Sequence, residues 1–260
     1  MADWQIIDSH CHLDFPVFDA IRQQLVQSAQ AAGVSHFVIP AVTYKDFQRV
    51  IDTASLYPHV SFALGLHPCF MQEHQLSDLE KLAEYIESQP VCAVGEIGLD
   101  FYLEGFDSVA QISLLKAQLK IAKEHQLPVL LHVRKAHDIM LKMLREMSFD
   151  EGGIVHAFSG SAVQAERYIQ MGFKLGFGGV VTYPRANKIR HLAKTLPLNS
   201  IVLETDSPDM RLYGRQGEPN QPKYIVDVLK EVAGLRPESI ETIAAITTAN
   251  ARRLLKLDGS

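Results

Sequence analysis

The chain has 260 residues, of which 47% are hydrophobic and 21% are charged, and its formal net charge is −5. This composition is typical of a globular protein, and the acidic balance excludes nucleic-acid binding through a basic surface that covers the whole protein. Three cysteines without a CxxC pair, the lack of a basic and apolar leader, and the lack of an apolar run of about 18 residues predict a cytoplasmic protein without disulfides, signal peptide or membrane span.

Eight short apolar runs recur along the chain and predict β-strands. Their residues are apolar almost throughout instead of alternating with polar ones, which is typical of strands that are buried on both faces. In chain order the runs are WQIID (4–8), HFVIPA (36–41), VSFALGLH (60–67), VCAVGEIG (91–98), PVLLHV (128–133), GIVHAF (153–158), FKLGFGG (173–179) and IVLETD (201–206).

Amphipathic segments between and after these runs predict α-helices. Gly33 is expected to end the first helix as its C-cap, Ser77 to cap the second in a capping box with Glu80, and Pro237 to open the last. The predicted helical segments are 18–33, 76–88, 107–126, 136–147, 161–171, 185–196, 222–234 and 237–256.

The alternation of eight strands with eight helices predicts a (β/α)₈ (TIM) barrel, formed by one domain over residues 1–260. A doubly wound open sheet is the rival fold, and it would favour a glycine-rich GxGxxG turn after the first strand. The sequence there is DSHCHLD, which contains no glycine. No linker, low-complexity tract or internal repeat divides the chain.

Ionisable residues stand at the carboxyl ends of several predicted strands. In the stretch IIDSHCHLD, His10 and His12 are two residues apart, so in an extended chain they point to the same side, and Cys11 points away. The carboxyl ends of all barrel strands meet at one face, which carries the active site. The metal-capable residues at these ends are His10, His12, Glu96, His132, His156, Glu204 and Asp206.

Six of these residues are expected to hold two divalent metal ions, because polar groups at the ends of apolar strands are costly to bury without a partner. A carboxylate can bridge two ions and an imidazole ordinarily cannot, so Glu96 is the expected bridge. The first ion is assigned to His10, His12, Glu96 and Asp206, and the second to Glu96, His132 and His156. The remaining histidines at strand starts or on helices are read as structural or solvated: His36, His59, His125, His137 and His191.

The motifs resemble those of the TatD family of metal-dependent deoxyribonucleases. The resemblance rests on six strings that occur in the family's order: DSHCHLD (8–14), GLHP (65–68), GEIGLDFY (95–102), HVRKA (132–136), HAFSGS (156–161) and ETDSP (204–208). It implies an amidohydrolase-like barrel with a binuclear metal centre, and its metal positions fall on the same six residues. Two departures lie in the loop after the eighth strand, where Asp209 replaces an aromatic residue and Gln221 replaces the glutamate of an NEP motif.

The resemblance implies hydrolysis of phosphodiester bonds by a nuclease, of the type that removes nucleotides from the 3′ ends of single-stranded DNA. Glu96 and Asp206 are the expected catalytic residues, since both would hold metal and Asp206 could also accept a proton from water. His67, at the end of the third strand, and Arg134, two residues after His132, are candidate substrate contacts. The mixture of imidazole and carboxylate ligands allows Zn, Mn or Mg, DNA is the expected partner, and no obligate protein partner is indicated.

Two other functions fit the same residues. One is hydrolysis of an amide or ester, for example by a D-aminoacyl-tRNA deacylase, although Glu96 stands where many binuclear amidohydrolases have a carbamylated lysine. The other is a non-catalytic, metal-dependent binding protein, which the loss of a metal-binding residue would have indicated. None of the six residues is lost.

Overall fold

The computed structural model describes residues 4–102, 104–105 and 107–257, and within them eight parallel strands form one sheet in chain order. Each strand is paired in parallel with the next. The strands are β1 (Ile6–Asp8), β2 (Val34–Pro40), β3 (Val60–Leu64), β4 (Ala93–Asp100), β5 (Val129–Arg134), β6 (Gly153–Val155), β7 (Phe173–Phe177) and β8 (Ile201–Leu203).

The sheet curls round until its first and last strands meet. The amide of Ser9, just after β1, donates a hydrogen bond to the carbonyl of Leu203 in β8 at 3.1 Å. Beyond the strands, the Asp206 amide donates to the His10 carbonyl and the His12 amide donates to the Ser207 carbonyl, both at 2.8 Å. The predicted TIM-barrel fold is therefore confirmed, and its closure joins the segments that carry three of the candidate metal-binding residues.

Helices follow the strands and cover the outside of the barrel, and none in the described chain is long and apolar enough to cross a membrane. Among the described residues there are nine α-helices, one more than predicted. They are α1 (Arg22–Ala31), α2 (Phe47–Ser55), α3 (Ser77–Ser88), α4 (Ser108–Glu124), α5 (His137–Glu146), α6 (Ala162–Gln170), α7 (Asn187–Thr195), α8 (Ile225–Leu235) and α9 (Ile240–Leu254).

The additional helix is α2, which has only nine residues and no side-chain cap at its start. Its apolar face is nevertheless regular, since Phe47, Val50 and Ala54 are buried at positions typical of a helix packed on a sheet. The sequence pattern predicts no element for this short stretch between the second and third strands. Packing against the barrel, and not a capping signal, stabilises it.

Two of the predicted helix starts are wrong. Ser77 is the first residue of α3 and does not cap it; the Asp78 carboxylate instead accepts a hydrogen bond from the Gln75 amide at 2.8 Å. Helix α9 begins at Ile240, three residues after Pro237, because the Ser239 hydroxyl accepts a hydrogen bond from the Thr242 amide at 3.2 Å. A polar side chain that reaches a free helical amide marks the start of α9, whereas α3 begins without a side-chain cap, and sequence spacing alone does not distinguish the two cases.

Gly33 follows α1 as predicted. Its φ angle of +104° is open to glycine at no steric cost. A Cβ atom here would lie 3.0 Å from the carbonyl oxygen of Trp4. The glycine therefore lets the chain leave the helix and turn directly into β2.

The barrel interior is apolar at the end opposite the candidate site. Seven strands each contribute one small or branched side chain to a buried cluster. Ala251 and Leu255, at the end of α9, pack against these side chains and cover this end of the barrel. A second cluster lies between the strands and the surrounding helices. The strand residues of the first cluster are Ile7, Val38, Ala63, Ala93, Leu130, Ile154 and Val202. The candidate metal-binding side chains lie at the other end of the barrel, at the carboxyl ends of the strands.

His36, on β2, makes folding sensitive to acid. Burial lowers its pKa from 6.5 to about 4, and its Nε2 atom is hydrogen-bonded to the Ser61 hydroxyl at 2.9 Å. Between these two pH values the unfolded chain binds a proton that the folded protein does not, so stability falls as the pH is lowered from 6.5 to 4. We expect His36→Gln to reduce this loss by on the order of 1 kcal/mol, given partial hydration of the ring.

The measurement is the free energy of unfolding by urea at several pH values between neutral and 4. His191→Gln, at an exposed position on α7, is the matched control and should leave the slope unchanged. Identical slopes for the wild type and the His36 variant would contradict the assignment.

Candidate metal centre

A buried carboxylate, that of Glu96, lies at the middle of the site. Its side chain is only 3% exposed, and its two oxygens face different imidazoles. Oε2 is 3.2 Å from His10 Nε2 and 3.7 Å from His12 Nε2. Oε1 is 2.9 Å from His156 Nε2 and 3.3 Å from His132 Nδ1. One side chain therefore contacts the histidines at the ends of β1, β5 and β6, and the rings of His10 and His156 also stack on each other, with centroids 4.0 Å apart.

Asp206 completes the side of the site that is formed by β1. Its Oδ1 atom lies 3.6 Å from both His10 Nε2 and His12 Nε2. The residue has a φ angle of +53°, which is sparsely populated outside glycine and turns the chain sharply after β8. Asp8 fixes Thr205, the residue before Asp206, because its carboxylate accepts hydrogen bonds from the amide and the hydroxyl of Thr205 at 2.9 and 2.6 Å.

The structure thus brings all six sequence-predicted metal-binding residues together. Two groups of side chains have one ligand atom each within 4.8 Å of one another and could hold a cation. One consists of His10, His12 and Asp206, and the other of His10, Glu96 and His156. His132 borders the second group, because its Nδ1 atom is 3.4 Å from His156 Nε2.

His67, which the sequence suggested as a substrate contact, lies against the centre itself. Its Nδ1 atom accepts a hydrogen bond from the Cys69 amide at 3.1 Å, so Nε2 carries the proton and donates it to Glu96 Oε1, also at 3.1 Å. His67, Cys69 and His132 form a third group with the spacing of metal ligands. Cys69 is exposed, and its thiol lies 3.6 Å from a carboxylate oxygen of Asp100.

Arg134, the other suggested substrate contact, lies on the rim and outside the centre. Its side chain is 50% exposed, and Nη1 is 3.9 Å from Asp100 Oδ2. The guanidinium carbon is 3.8 Å from the centroid of the Tyr102 ring.

Two carboxylates that the sequence analysis did not assign orient the imidazoles from behind. Asp100 Oδ2 is 2.9 Å from His132 Nε2, so this nitrogen carries a proton, and Nδ1, which faces Glu96, is the atom that remains to bind a cation. Glu204 Oε1 accepts a hydrogen bond from the Ala157 amide at 2.6 Å and lies 3.7 Å from His156 Nδ1. The sequence did contain a signal for Asp100: it lies four residues after Glu96 in the same strand, and residues four apart in a strand share a face.

Two glycines make room for this arrangement. A Cβ atom on Gly98 would lie 1.9 Å from the carbonyl oxygen of His132, so only glycine lets β4 and β5 approach closely here. A Cβ atom on Gly176 in β7 would lie 2.1 Å from Glu204 Oε2. Each glycine faces a residue that positions or belongs to the centre.

The charges of the site are those that a divalent cation needs. Burial opposes ionisation of Glu96, but the surrounding imidazoles, with His67 and His156 first, hold its pKa well below the usual range. The Asp206 pKa is likewise lowered against burial, through the hydrogen bond from His12. His10 is fully buried, and burial lowers its pKa, which leaves its ring neutral.

His12 and His156 differ from His10, because their carboxylate partners outweigh burial. The pKa of His12 is raised to about 9 by Asp206, and that of His156 is raised well above 6.5 by Glu96 and Glu204. A cation that binds to these nitrogens must displace the protons, as metals do at histidine sites generally.

Several polar atoms of the centre have no hydrogen-bond partner among the described residues. They include both ring nitrogens of His10 and the Oε2 atom of Glu204, all buried. An unsatisfied buried donor or acceptor is costly, and a cation at His10 Nε2 removes that cost directly. The donor set therefore fits one or more divalent cations.

The loop after β8 carries the two departures from the family pattern. Asn220 is buried and ties the loop down, since its Nδ2 atom donates hydrogen bonds to the carbonyls of Thr205 and Met210 at 2.7 and 3.2 Å. The backbone amide of Gln221 donates a hydrogen bond to Oδ1 of Asn220 at 2.9 Å. Asp209 is exposed beside the centre, and burial of part of its carboxyl, together with the nearby Asp206, raises its pKa.

The contact between Asp100 and His132 predicts a defined loss of metal affinity. Asp100→Asn replaces a charged acceptor with a neutral amide that no longer favours one orientation and tautomer of the ring. We expect the affinity for Zn²⁺ to fall about 10- to 100-fold, as for other carboxylates behind a metal-binding histidine, measured by titration against a competing chelator. Asp78→Asn, at a buried carboxylate on α3, is the control. Equal affinities of the two variants would contradict the role of Asp100.

Comparison with known proteins agrees with this geometry. The sequence model of the family described as TatD related DNase matches residues 7–256. The uncharacterized metal-dependent hydrolase YjjV of Escherichia coli K12 is 43% identical over 97% of this chain and 98% of its own. An uncharacterized metal-dependent hydrolase of Haemophilus influenzae is 38% identical over 94% of this chain and 97% of its own.

The fold is also that of a solved relative. The crystal structure of YjjV, a TatD homologue, superposes with a TM-score of 0.93 over 96% of this chain and 97% of that one. The family match covers nearly the whole chain and confirms the resemblance seen in the motifs. Membership of a hydrolase family also argues against the alternative that the chain is a non-catalytic, metal-dependent binding protein. The chain belongs to the TatD family and is a metal-dependent hydrolase.

Proposed function

We propose that the protein is a phosphodiesterase of the nuclease type, which uses two divalent cations to remove nucleotides from the 3′ ends of single-stranded DNA. The observation that carries this proposal is the position of Glu96. Its Oε2 atom faces the imidazoles of His10 and His12 and its Oε1 atom those of His132 and His156, at 2.9–3.7 Å. A carboxylate in this position is suited to bridge two cations.

The assignment of ligands follows the two oxygens of Glu96. The first cation would be held by His10, His12, Glu96 Oε2 and Asp206, and the second by Glu96 Oε1, His132 Nδ1 and His156 Nε2. His67 donates its hydrogen bond to the same oxygen that serves the second cation. When bound, two such ions polarise a phosphoryl oxygen and make water more acidic, and this mixture of nitrogen and oxygen donors accommodates Zn, Mn or Mg.

Asp206 is the residue best placed to take a proton from water. Its side chain is 17% exposed, against 3% for Glu96, so it is the more accessible of the two carboxylates at the centre. Its low pKa keeps it ionised at neutral pH, and its Oδ1 atom already faces two imidazoles. The remaining oxygen can then accept the proton.

A phosphodiester suits the charge of this site better than a neutral bond does. Two divalent ions outweigh the two carboxylates and so provide a local positive charge in a chain whose net charge is −5. The centre lies at the carboxyl ends of the barrel strands, where a flexible single strand enters more readily than an intact duplex. The description of the matching family, TatD related DNase, supports the same substrate class.

One observation favours a second candidate, the hydrolysis of an aminoacyl ester such as that of a D-aminoacyl-tRNA. Asp209 places an exposed carboxylate next to Asp206. A carboxylate here attracts the ammonium group of an aminoacyl ester and repels a phosphate. The same metal-binding residues would serve attack on a carbonyl.

A substrate screen separates the two functions. We expect the protein, stripped of metal and reloaded with Mg²⁺, Mn²⁺ or Zn²⁺, to hydrolyse single-stranded DNA, and we expect chelation to stop the reaction. Because few Lys and Arg can contact distant phosphates, binding should depend weakly on salt, with a log–log slope of about −0.7 for each phosphate neutralised. Single-stranded DNA left intact with all three metals, together with cleavage of an aminoacyl ester, would replace the nuclease with the deacylase.

Removal of Glu96 tests the bridge. Glu96→Ala should lower the metal content from two ions per chain and abolish turnover, because no other carboxylate in the described part of the chain pairs with imidazoles on both sides of the centre. Metal analysis after gel filtration is the measurement, and Glu124→Ala, at an exposed position on α4, is the control. Two tightly bound ions in the Glu96 variant would rule out the bridging role.

A further inference from the structure

An exposed aromatic ring and a cation are stacked on the rim beside the centre. Tyr102 follows β4 and is 60% exposed. Arg134 is the last residue of β5, and its guanidinium carbon lies 3.8 Å from the centroid of the Tyr102 ring. The pair covers one face of the ring and leaves more than half of the tyrosine open to solvent.

Both residues are held in place through their backbones. The Tyr102 amide donates a hydrogen bond to Asp100 Oδ1 at 2.9 Å, and the amide of Phe101 donates to the carbonyl of Arg134 at 2.9 Å. Asp100 is 1% exposed and is itself fixed by Gln111, whose side chain is hydrogen-bonded to its amide and carbonyl. These backbone hydrogen bonds fix the stack to the carboxyl ends of β4 and β5.

The guanidinium of Arg134 is positioned by stacking on Tyr102, but its N–H donors are not hydrogen-bonded to any acceptor among the described residues. Within the described parts of the chain it makes no hydrogen bond, and its nearest carboxylate oxygen, Asp100 Oδ2, is 3.9 Å away. Arg215 provides the contrast, since it stacks on Tyr224 at 4.1 Å while its guanidinium is paired with Asp227 and Glu218 at 3.3 and 3.6 Å. The planar donors of Arg134 are thus preorganised for an anion that approaches from solvent.

Three short contacts connect this stack to the centre. Arg134 faces Asp100, Asp100 Oδ2 is 2.9 Å from His132 Nε2, and His132 Nδ1 is 3.3 Å from Glu96 Oε1. One carboxylate and one imidazole therefore separate the guanidinium from the carboxylate at the middle of the site. A ligand with one phosphate at the centre can reach the rim with the next group along its chain.

We propose that Tyr102 and Arg134 form a nucleotide clamp, in which the open face of the tyrosine stacks on an unpaired nucleobase and the guanidinium binds a neighbouring backbone phosphate. This inference rests on the proposed nuclease function and narrows its substrate to single strands that carry bases. Stacking on an aromatic ring accepts any base, whereas a base inside a duplex has no free face to offer. The clamp thus favours frayed or single-stranded ends without reading their sequence.

The test compares two single strands that differ only in their terminal bases. One carries ordinary nucleotides, and the other carries abasic tetrahydrofuran residues at its 3′ end. We expect the wild type to hydrolyse the first with a kcat/KM about five- to a hundred-fold higher. Tyr102→Ala should reduce this ratio to about one, because it slows the strand with bases far more than the abasic strand, which loses only the positioning of Arg134. Arg134→Ala should slow both strands, because both contain the phosphate.

Two variants serve as controls. Tyr102→Phe keeps the ring and should keep the base preference, and Arg215→Ala removes the other stacked arginine and should change neither substrate. A base preference that persists in Tyr102→Ala, or that is absent from the wild type while both strands are hydrolysed, would overturn the clamp. Thermal unfolding of each variant shows whether the fold is intact.

A binding measurement does not depend on turnover. A strand with 2-aminopurine near its 3′ end and phosphorothioate linkages, which resist hydrolysis, should lose fluorescence on binding to the wild type and to Tyr102→Phe, but not to Tyr102→Ala. Equal quenching by all three proteins would contradict the clamp. If the wild type hydrolyses neither strand, the proposed nuclease function fails instead, and the fluorescence alone then decides whether the clamp binds a base.

Discussion

The contact on which the site depends is that between the buried carboxylate of Glu96 and five imidazoles, each with a nitrogen within 3.7 Å of one of its oxygens. A carboxylate that is 3% exposed is costly to bury unless positive or hydrogen-bonding groups surround it. The imidazoles come from the ends of β1, β3, β5 and β6, so only a closed barrel can supply them together. Without Glu96, the same rings would be buried with no common partner.

The barrel divides its interior between stability and chemistry. Branched and small side chains from seven strands fill the end that α9 closes, and the candidate metal-binding residues occupy the other end. Strand β4 is the longest, with eight residues, all buried. It contributes Ala93 to the apolar end, Glu96 to the centre and Asp100 to the support of His132, so one strand connects the core to the site.

Much of this could be predicted from the sequence, because parallel strands in a barrel bring their carboxyl ends to one face whatever the loops do. The rule needs only strand order, and it predicted the fold and the convergence of His10, His132 and Asp206. It could not place Asp100 or Glu204 behind the imidazoles, since that depends on which ring nitrogen turns to which carboxylate. It indicated His67 only as a candidate substrate contact, and it could not predict that the side chain donates a hydrogen bond to Glu96. Helix α2 was missed because packing, and not a local cap, stabilises it.

The distribution of charge constrains how a polyanion can be recognised. The chain is acidic overall, and Asp209 adds an exposed carboxylate close to the centre. Attraction over a long stretch of backbone is therefore weak, so the proposed nuclease has to bind its substrate through groups close to the centre. Arg134 suits this task, because its side chain is half exposed and stacked on Tyr102, and its guanidinium makes no hydrogen bond to the described residues. In the proposed nuclease, recognition of this kind acts on the last nucleotides of a strand and ignores the rest, which is what an enzyme needs when its substrate is an end and not a sequence.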